Sequence, residues 1–155
     1  MEKFKILLVD DEEEFVKSLS ERLQLRDLNT DLAHNGEQAM QIVTDEVPDV
    51  MVLDLRMPGI DGMEVLKRVK KNYPNVQVII LTGHGSDKDE SLAKKHGAFA
   101  YLRKPANLDV LVKTLKKANK YKKKLESTMS AVAFAEAGEF DTARKMAEDN
   151  IDKDK

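Results

Sequence analysis

The chain has 155 residues, enough for one domain with a sizeable core and an appendage, and too few for two full-sized domains. Hydrophobic residues make up 41% and charged residues 35%, with 26 Lys and Arg against 28 Asp and Glu. The net charge of -2 argues against a dedicated nucleic-acid binder, and the absence of Cys removes disulfides and thiolate metal sites.

The apolar run Ile6 to Val9 near the start is short and leads straight into acids, unlike a signal peptide. No stretch approaches the ~18 apolar residues of a membrane span, so a cytoplasmic location is expected. The same run reads as a strand buried on both faces, ended by Asp10 and Asp11. Phe15, Val16, Leu19 and Leu23 then recur at helical spacing up to about Arg26. A weaker strand, Thr30 to Ala33, passes through Asn35-Gly36 into a helix carrying Ala39, Met40 and Val43, which stops ahead of Pro48.

Val50 to Leu53 is a second buried-strand run and delivers Asp54 at its C-terminal end. After the loop from Arg56 to Gly62, Met63, Leu66 and Val69 mark a third helix closing before Pro74. Val76 to Leu81 reads as the fourth strand, ending at Thr82, and a polar helix is expected from about Ser86 to His96. Gly97 breaks it, and Phe99 to Leu102 reads as a fifth strand leading to Lys104-Pro105. Strands that alternate with helices imply a doubly wound α/β fold, with a five-stranded parallel sheet in the flavodoxin-like order 2-1-3-4-5.

From about Asn107 the pattern is purely helical, with Leu108, Leu111, Val112, Leu115 and Ala118 on one side and seven Lys between Lys113 and Lys124 on the other. Residues 1–122 are expected to form the main domain and 123–155 a helical extension. In that extension an Ala-rich helix from Ser130 to Ala137, a break at Gly138 and a stretch through Phe140, Ala143, Met146 and Ala147 read as a helical hairpin with a frayed end. Its segment Ala133 to Ala147 faintly resembles half of a tetratricopeptide-type hairpin. The Lys run reads as the solvated face of a long helix rather than a nucleic-acid or membrane contact. A heptad-like series through Leu108, Leu111, Leu115, Ala118, Leu125, Met129 and Val132, interrupted at Lys122, leaves a homodimer open.

Ligands of open parallel sheets bind at the C-terminal strand ends, which here carry Asp10, Asp11, Asp54, Thr82 and Lys104. Two carboxylates about 4 Å apart repel by ~4 kcal/mol at an effective dielectric near 20, so the acids need a counter-ion. Oxygen donors without His or Cys suit Mg²⁺. The same arrangement suits phosphoryl transfer, with Asp54 as nucleophile, Lys104 on the incoming oxygens and the Thr82 hydroxyl donating to one of them. Taken singly, Asp11 is a turn former, Thr82 a strand end and Lys104 a surface cation; their shared position at one sheet edge is what points to a site.

At these residues the chain resembles the response regulator receiver family of two-component signalling. The family's motifs appear as ILLVDDEE, VLDLRMPGIDG, ILTGHG and AYLRKP, covering about residues 1 to 122. The resemblance implies that Asp54 is the phosphoacceptor for a phosphohistidine of a histidine kinase or phosphotransfer protein. It implies further that Asp11, Asp54 and the Arg56 backbone carbonyl ligate Mg²⁺ and that Asp10 acts through water. Thr82 and Tyr101 would switch together, changing a surface on the fourth helix, fifth strand and fifth helix that meets a downstream protein target. Arg56 and His84 occupy positions that tune dephosphorylation: a bulky Arg56 is expected to shield the acyl phosphate, and His84 reads as an exposed loop residue.

Such a protein turns over only its own phosphoryl group and is not otherwise an enzyme. A phosphatase of the haloacid dehalogenase type would need an acid where Arg56 stands. A degenerate receiver acting as a binding scaffold is opposed by the complete set of acids with Thr82 and Lys104. The residues after Leu125 are too few for a DNA-binding output domain, so direct DNA binding is not expected.

Overall fold

The computed structural model describes residues 3–136, with side chains to Thr128. The elements in chain order are β1 (Ile6–Val9), α1 (Glu13–Gln24), β2 (Thr30–Ala33), α2 (Gly36–Asp45), β3 (Val50–Leu53), α3 (Gly62–Asn72), β4 (Gln77–Thr82), α4 (Asp87–Lys95), β5 (Ala100–Arg103) and α5 (Leu108–Glu136). All five strands are parallel, in the order β2-β1-β3-β4-β5. This is the doubly wound, flavodoxin-like sheet that the sequence predicts.

Strand composition follows position in the sheet. The central strands β1, β3 and β4 are buried at every residue, because helices cover both of their faces. The edge strands β2 and β5 are partly exposed. Alternate residues point to opposite faces. Leu7, Val9, Met51, Leu53, Val78 and Ile80 join Ala39 and Val43 of α2, Val65, Leu66 and Val69 of α3, and Ala93 of α4 in one core. Ile6, Leu8, Val50, Val52, Ile79 and Leu81 join Val16 and Leu23 of α1 and Leu111, Val112, Leu115 and Ala118 of α5 in the other.

Helix boundaries follow local chemistry. Asn35 and Asp61 cap α2 and α3 by accepting from the Gln38 and Glu64 N–H groups. Ser86 and Asp89 form a reciprocal capping box on α4, which therefore starts one residue later than the periodicity implies. Helix α1 ends at Gln24 rather than near Arg26, because Asp27 adopts a left-handed conformation (φ 63) and Leu28 N–H returns to the Leu23 carbonyl. Strands β4 and β5 also sit one residue further along than expected, so that Thr82 lies inside β4 and pairs with Arg103.

Two compact units divide the chain, Met1–Lys120 and Tyr121–Lys155. In the first, Leu111, Leu115 and Ala118 belong to the sheet's own core, so these heptad positions are already covered within the chain. In the second, Lys122 Nζ lies 3.0 Å from Glu126 Oε2, and the Thr128 hydroxyl donates to the Lys124 carbonyl. The expected hairpin about Gly138 and most of the tetratricopeptide-like segment lie outside the described residues. Among the described residues, no helix is long and apolar enough to cross a membrane.

Candidate functional site

Parallel register builds the site. Val9 pairs with Leu53, so the next residues, Asp10 and Asp54, emerge side by side, with Asp54 N–H on the Val9 carbonyl and Asp10 N–H on that of Ala33. Thr82 ends the neighbouring strand, and its carbonyl accepts from Lys104 N–H at 2.9 Å, which fixes Lys104 just past β5. The Lys104–Pro105 bond is cis. Behind Asp54 the chain must pass close to α3: a Cβ on Gly62 would collide with the Asp54 carbonyl and the Leu55 Cα, so only glycine fits there.

The Lys104 ammonium reaches back across the sheet edge to three acids. It lies 2.6 Å from Asp10 Oδ2, 2.9 Å from Glu12 Oε1 and 3.6 Å from Asp54 Oδ2. It also stands 4.2 Å from the centroid of the Phe15 ring. Asp10 and Asp54 are buried. Burial raises the Asp10 pKa, and the Asp54 charge adds to this, against the lowering effect of Lys104 and of the Glu12 N–H. For Lys104 burial favours the neutral amine, but the hydrogen bonds to Asp10 and Glu12 and the nearby acid charges outweigh it and raise the pKa. Glu12 is lowered by its hydrogen bond to Lys104.

Asp10, Glu12 and Asp54 each present a carboxylate oxygen within 4.8 Å of the others. Oxygen donors of this kind suit a hard divalent cation, but Lys104 already engages Asp10 and Glu12. Asp11 is exposed and lines, with Leu55, Arg56, Met57, Pro58, Asp61, Met63 and Asp89, a cleft of about 490 Å³. Glu12 is the acid that sequence reasoning missed. Asp10 Oδ1 accepts from the Glu12 N–H, and that turn brings the Glu12 carboxylate to Lys104. Its only signal in the sequence was the acidic run after β1.

The remaining expected residues surround this cluster. Thr82 is fully buried, and its hydroxyl oxygen accepts from His84 N–H at 3.3 Å. His84 is exposed. Arg56 N–H points at Asp54 Oδ1 from 3.3 Å, while the Arg56 guanidinium extends outward to 3.9 Å from Asp89. Tyr101 is half-buried, its hydroxyl has no hydrogen-bond partner among the described residues, and burial raises its pKa.

Together these features define an α/β protein whose polar site lies along the carboxyl edge of a parallel sheet, where acids, a hydroxyl and a lysine converge. More particularly, the chain belongs to the response regulator receiver domain family, whose model matches residues 6–116. It is 40% identical over 113 residues to sporulation initiation phosphotransferase F of Bacillus subtilis, covering 73% of this chain and 91% of that protein. It is 37% identical over 120 residues to a putative response regulator NtrX-like protein of Rickettsia typhi, covering 76% of this chain and 25% of that one. The chain thus spans about a quarter of the length of such relatives. A solved response regulator receiver domain protein from Clostridium thermocellum superposes with a TM-score of 0.75 at 36% identity, over 79% of this chain and 98% of that one.

Proposed function

We propose that the protein accepts a phosphoryl group on Asp54 from the phosphohistidine of a histidine kinase or phosphotransfer protein, and thereby switches a protein-binding surface in a cytoplasmic two-component pathway. An Asp54 carboxylate oxygen attacks phosphorus, the bond from phosphorus to the histidine nitrogen breaks, and an acyl phosphate forms. The observation that carries this reading is the Lys104 ammonium held within 3.6 Å of both Asp10 and Asp54 at adjacent strand ends. Lys104 is positioned to donate to the phosphoryl oxygens, and the Thr82 hydroxyl, which accepts from the His84 N–H, has its own hydrogen to donate as well.

Mg²⁺ is the fitting cation; when bound it neutralises charge on the phosphoryl oxygens. Asp11, Asp54 and the Arg56 carbonyl would hold it, with Asp10 acting through water. Asp11 and Arg56 already line one cleft, whereas Glu12 is engaged with Lys104. Tyr101, against Thr82, would carry the change to the surface of α4, β5 and α5 and so to a downstream protein partner.

Intact-protein mass spectrometry after incubation with acetyl phosphate and Mg²⁺ tests the reading. The expected result is a gain of one phosphoryl group that is lost in Asp54→Ala. A folded wild-type protein that takes no label would instead favour a scaffold that binds independently of phosphorylation, and repeated turnover of a phosphate ester would favour a phosphatase.

A further inference from the structure

Arg103, the residue before Lys104, fastens β5 to the loop that follows β4. Its guanidinium donates to the Gly85 carbonyl at 2.6 Å and to Asp87 Oδ1 at 2.8 Å, and lies 3.6 Å from Glu90 Oε1. The same group stands 5.5 Å from the centroid of the Tyr101 ring. Beside it the Tyr101 hydroxyl is buried with no hydrogen-bond partner among the described residues. A Cβ built on Gly85 would fall on that hydroxyl and come within 2.9 Å of Thr82 Cγ2. The seat that Tyr101 occupies therefore exists only because residue 85 is glycine, and Arg103 holds that glycine through its carbonyl.

A buried hydroxyl without a partner favours leaving for water. Something must offset that tendency, and the contacts that do so run through Arg103. We propose that Arg103 is a latch that holds Tyr101 in its inward seat before any phosphoryl group arrives, setting the resting balance between inward and outward Tyr101. The latch spans from β5 to the first turn of α4, so it also sets how often the α4–β5 surface is presented in the unphosphorylated protein. The consequence for signalling, though not the latch itself, rests on the reading of Asp54 as phosphoacceptor. Arg103 and Asp87 are both substantially exposed, so each ion pair alone contributes little; the carbonyl bond and the ring contact add to them. Loss of the latch is expected to move the balance by roughly fivefold, the effect of a few such weak contacts acting together.

The test is ¹⁹F NMR of the full chain labelled with 3-fluorotyrosine, which marks three positions. The Tyr101 line is assigned by Tyr101→Phe, and its burial is read from the H₂O to D₂O solvent shift. In wild type without any phosphate mimic the line should show the small solvent shift of a buried position, since the fluorine sits beside the buried hydroxyl of the half-buried ring. Arg103→Gln should add or shift toward a solvent-exposed line, and Asp87→Asn, which keeps the carbonyl bond, should move the same way by less. Gly85→Ala should expose the ring outright. A buried line in Arg103→Gln equal to that of wild type, or an exposed line in wild type, overturns the proposal, as does a buried Tyr101 in Gly85→Ala. Beryllofluoride with Mg²⁺ should return the Arg103→Gln line to the buried position. If it does not, the phosphoacceptor reading fails while the resting difference between variants still supports the latch.

Discussion

The Lys104 ammonium stands 2.6 Å from Asp10 Oδ2 across 94 positions of sequence, and this contact holds the far edge of β5 against the end of β1. The two side chains are 11% and 5% exposed, so water does little to screen either charge. Removing one partner of such a pair leaves an uncompensated buried charge. Lys104→Met should therefore cost about 3 kcal/mol in urea unfolding at neutral pH. Adding Asp10→Asn should recover a large part of that loss, because one of the stranded carboxylates is gone. A double variant no more stable than Lys104→Met would show that carboxylate repulsion is not the cause.

Arg56 extends from the residue pair after Asp54 to within 3.9 Å of Asp89, over the cleft that Asp11 also lines. If Asp54 carries the proposed acyl phosphate, a side chain at this cleft is expected to shield it from attacking water. Arg56→Ala should lose phosphoryl label several-fold faster than wild type, measured as decay of the phosphorylated mass after donor removal. Faster decay in wild type than in the variant would refute the shielding role.

The α4 cap has a pH dependence whose sign is fixed by Asp89. The Ser86 N–H, and then the Ser86 hydroxyl, hold the Asp89 carboxylate below its ordinary range. A folded pKa below the unfolded value near ~3.9 means that the stabilisation is complete above that value and fades as pH falls through the folded one. Asp89→Ala, which removes the carboxylate that accepts from the Ser86 N–H, should cost about 0.5 kcal/mol at neutral pH, the low end for a helix cap. The gap from wild type should narrow below about pH 4, where Asp89 begins to take up a proton. Thermal unfolding across pH checks this, and a gap that stays constant into the acid limb would show that the carboxylate arm contributes nothing.

What the sequence disclosed, and what it hid, follows from the range of the interactions concerned. The runs at β1 and β3 were legible to the residue because both faces of those strands are covered, which demands unbroken apolar side chains. The ends of β4 and β5 were not, because Thr82 stays in the sheet through its carbonyl bond to Lys104 N–H, and hydropathy carries no trace of that bond. Asp10, Asp54, Thr82 and Lys104 could be brought to one edge from strand order alone. Glu12 could not be singled out from its acidic neighbours, since the Asp10 turn selects it. Arg103 could not be singled out, because its partners Gly85 and Asp87 lie 18 and 16 positions away.

Asp11 and Glu12 can be told apart by metal. Glu12, Asp10 and Asp54 are the acids already gathered, yet Glu12 and Asp10 both hold Lys104, which would repel a divalent cation placed between them. Asp11 carries no such partner and faces the cleft shared with Arg56. Mg²⁺ at ten times its dissociation constant should stabilise wild type by about 1.4 kcal/mol, and removal of the ion with a chelator should reverse the effect. Asp11→Asn and Asp54→Asn should abolish this increment in a thermal-shift titration, while Glu12→Gln should keep most of it. Loss of the Mg²⁺ increment in Glu12→Gln, with Asp11→Asn unaffected, would move the metal from the cleft to the Lys104 side of Asp54.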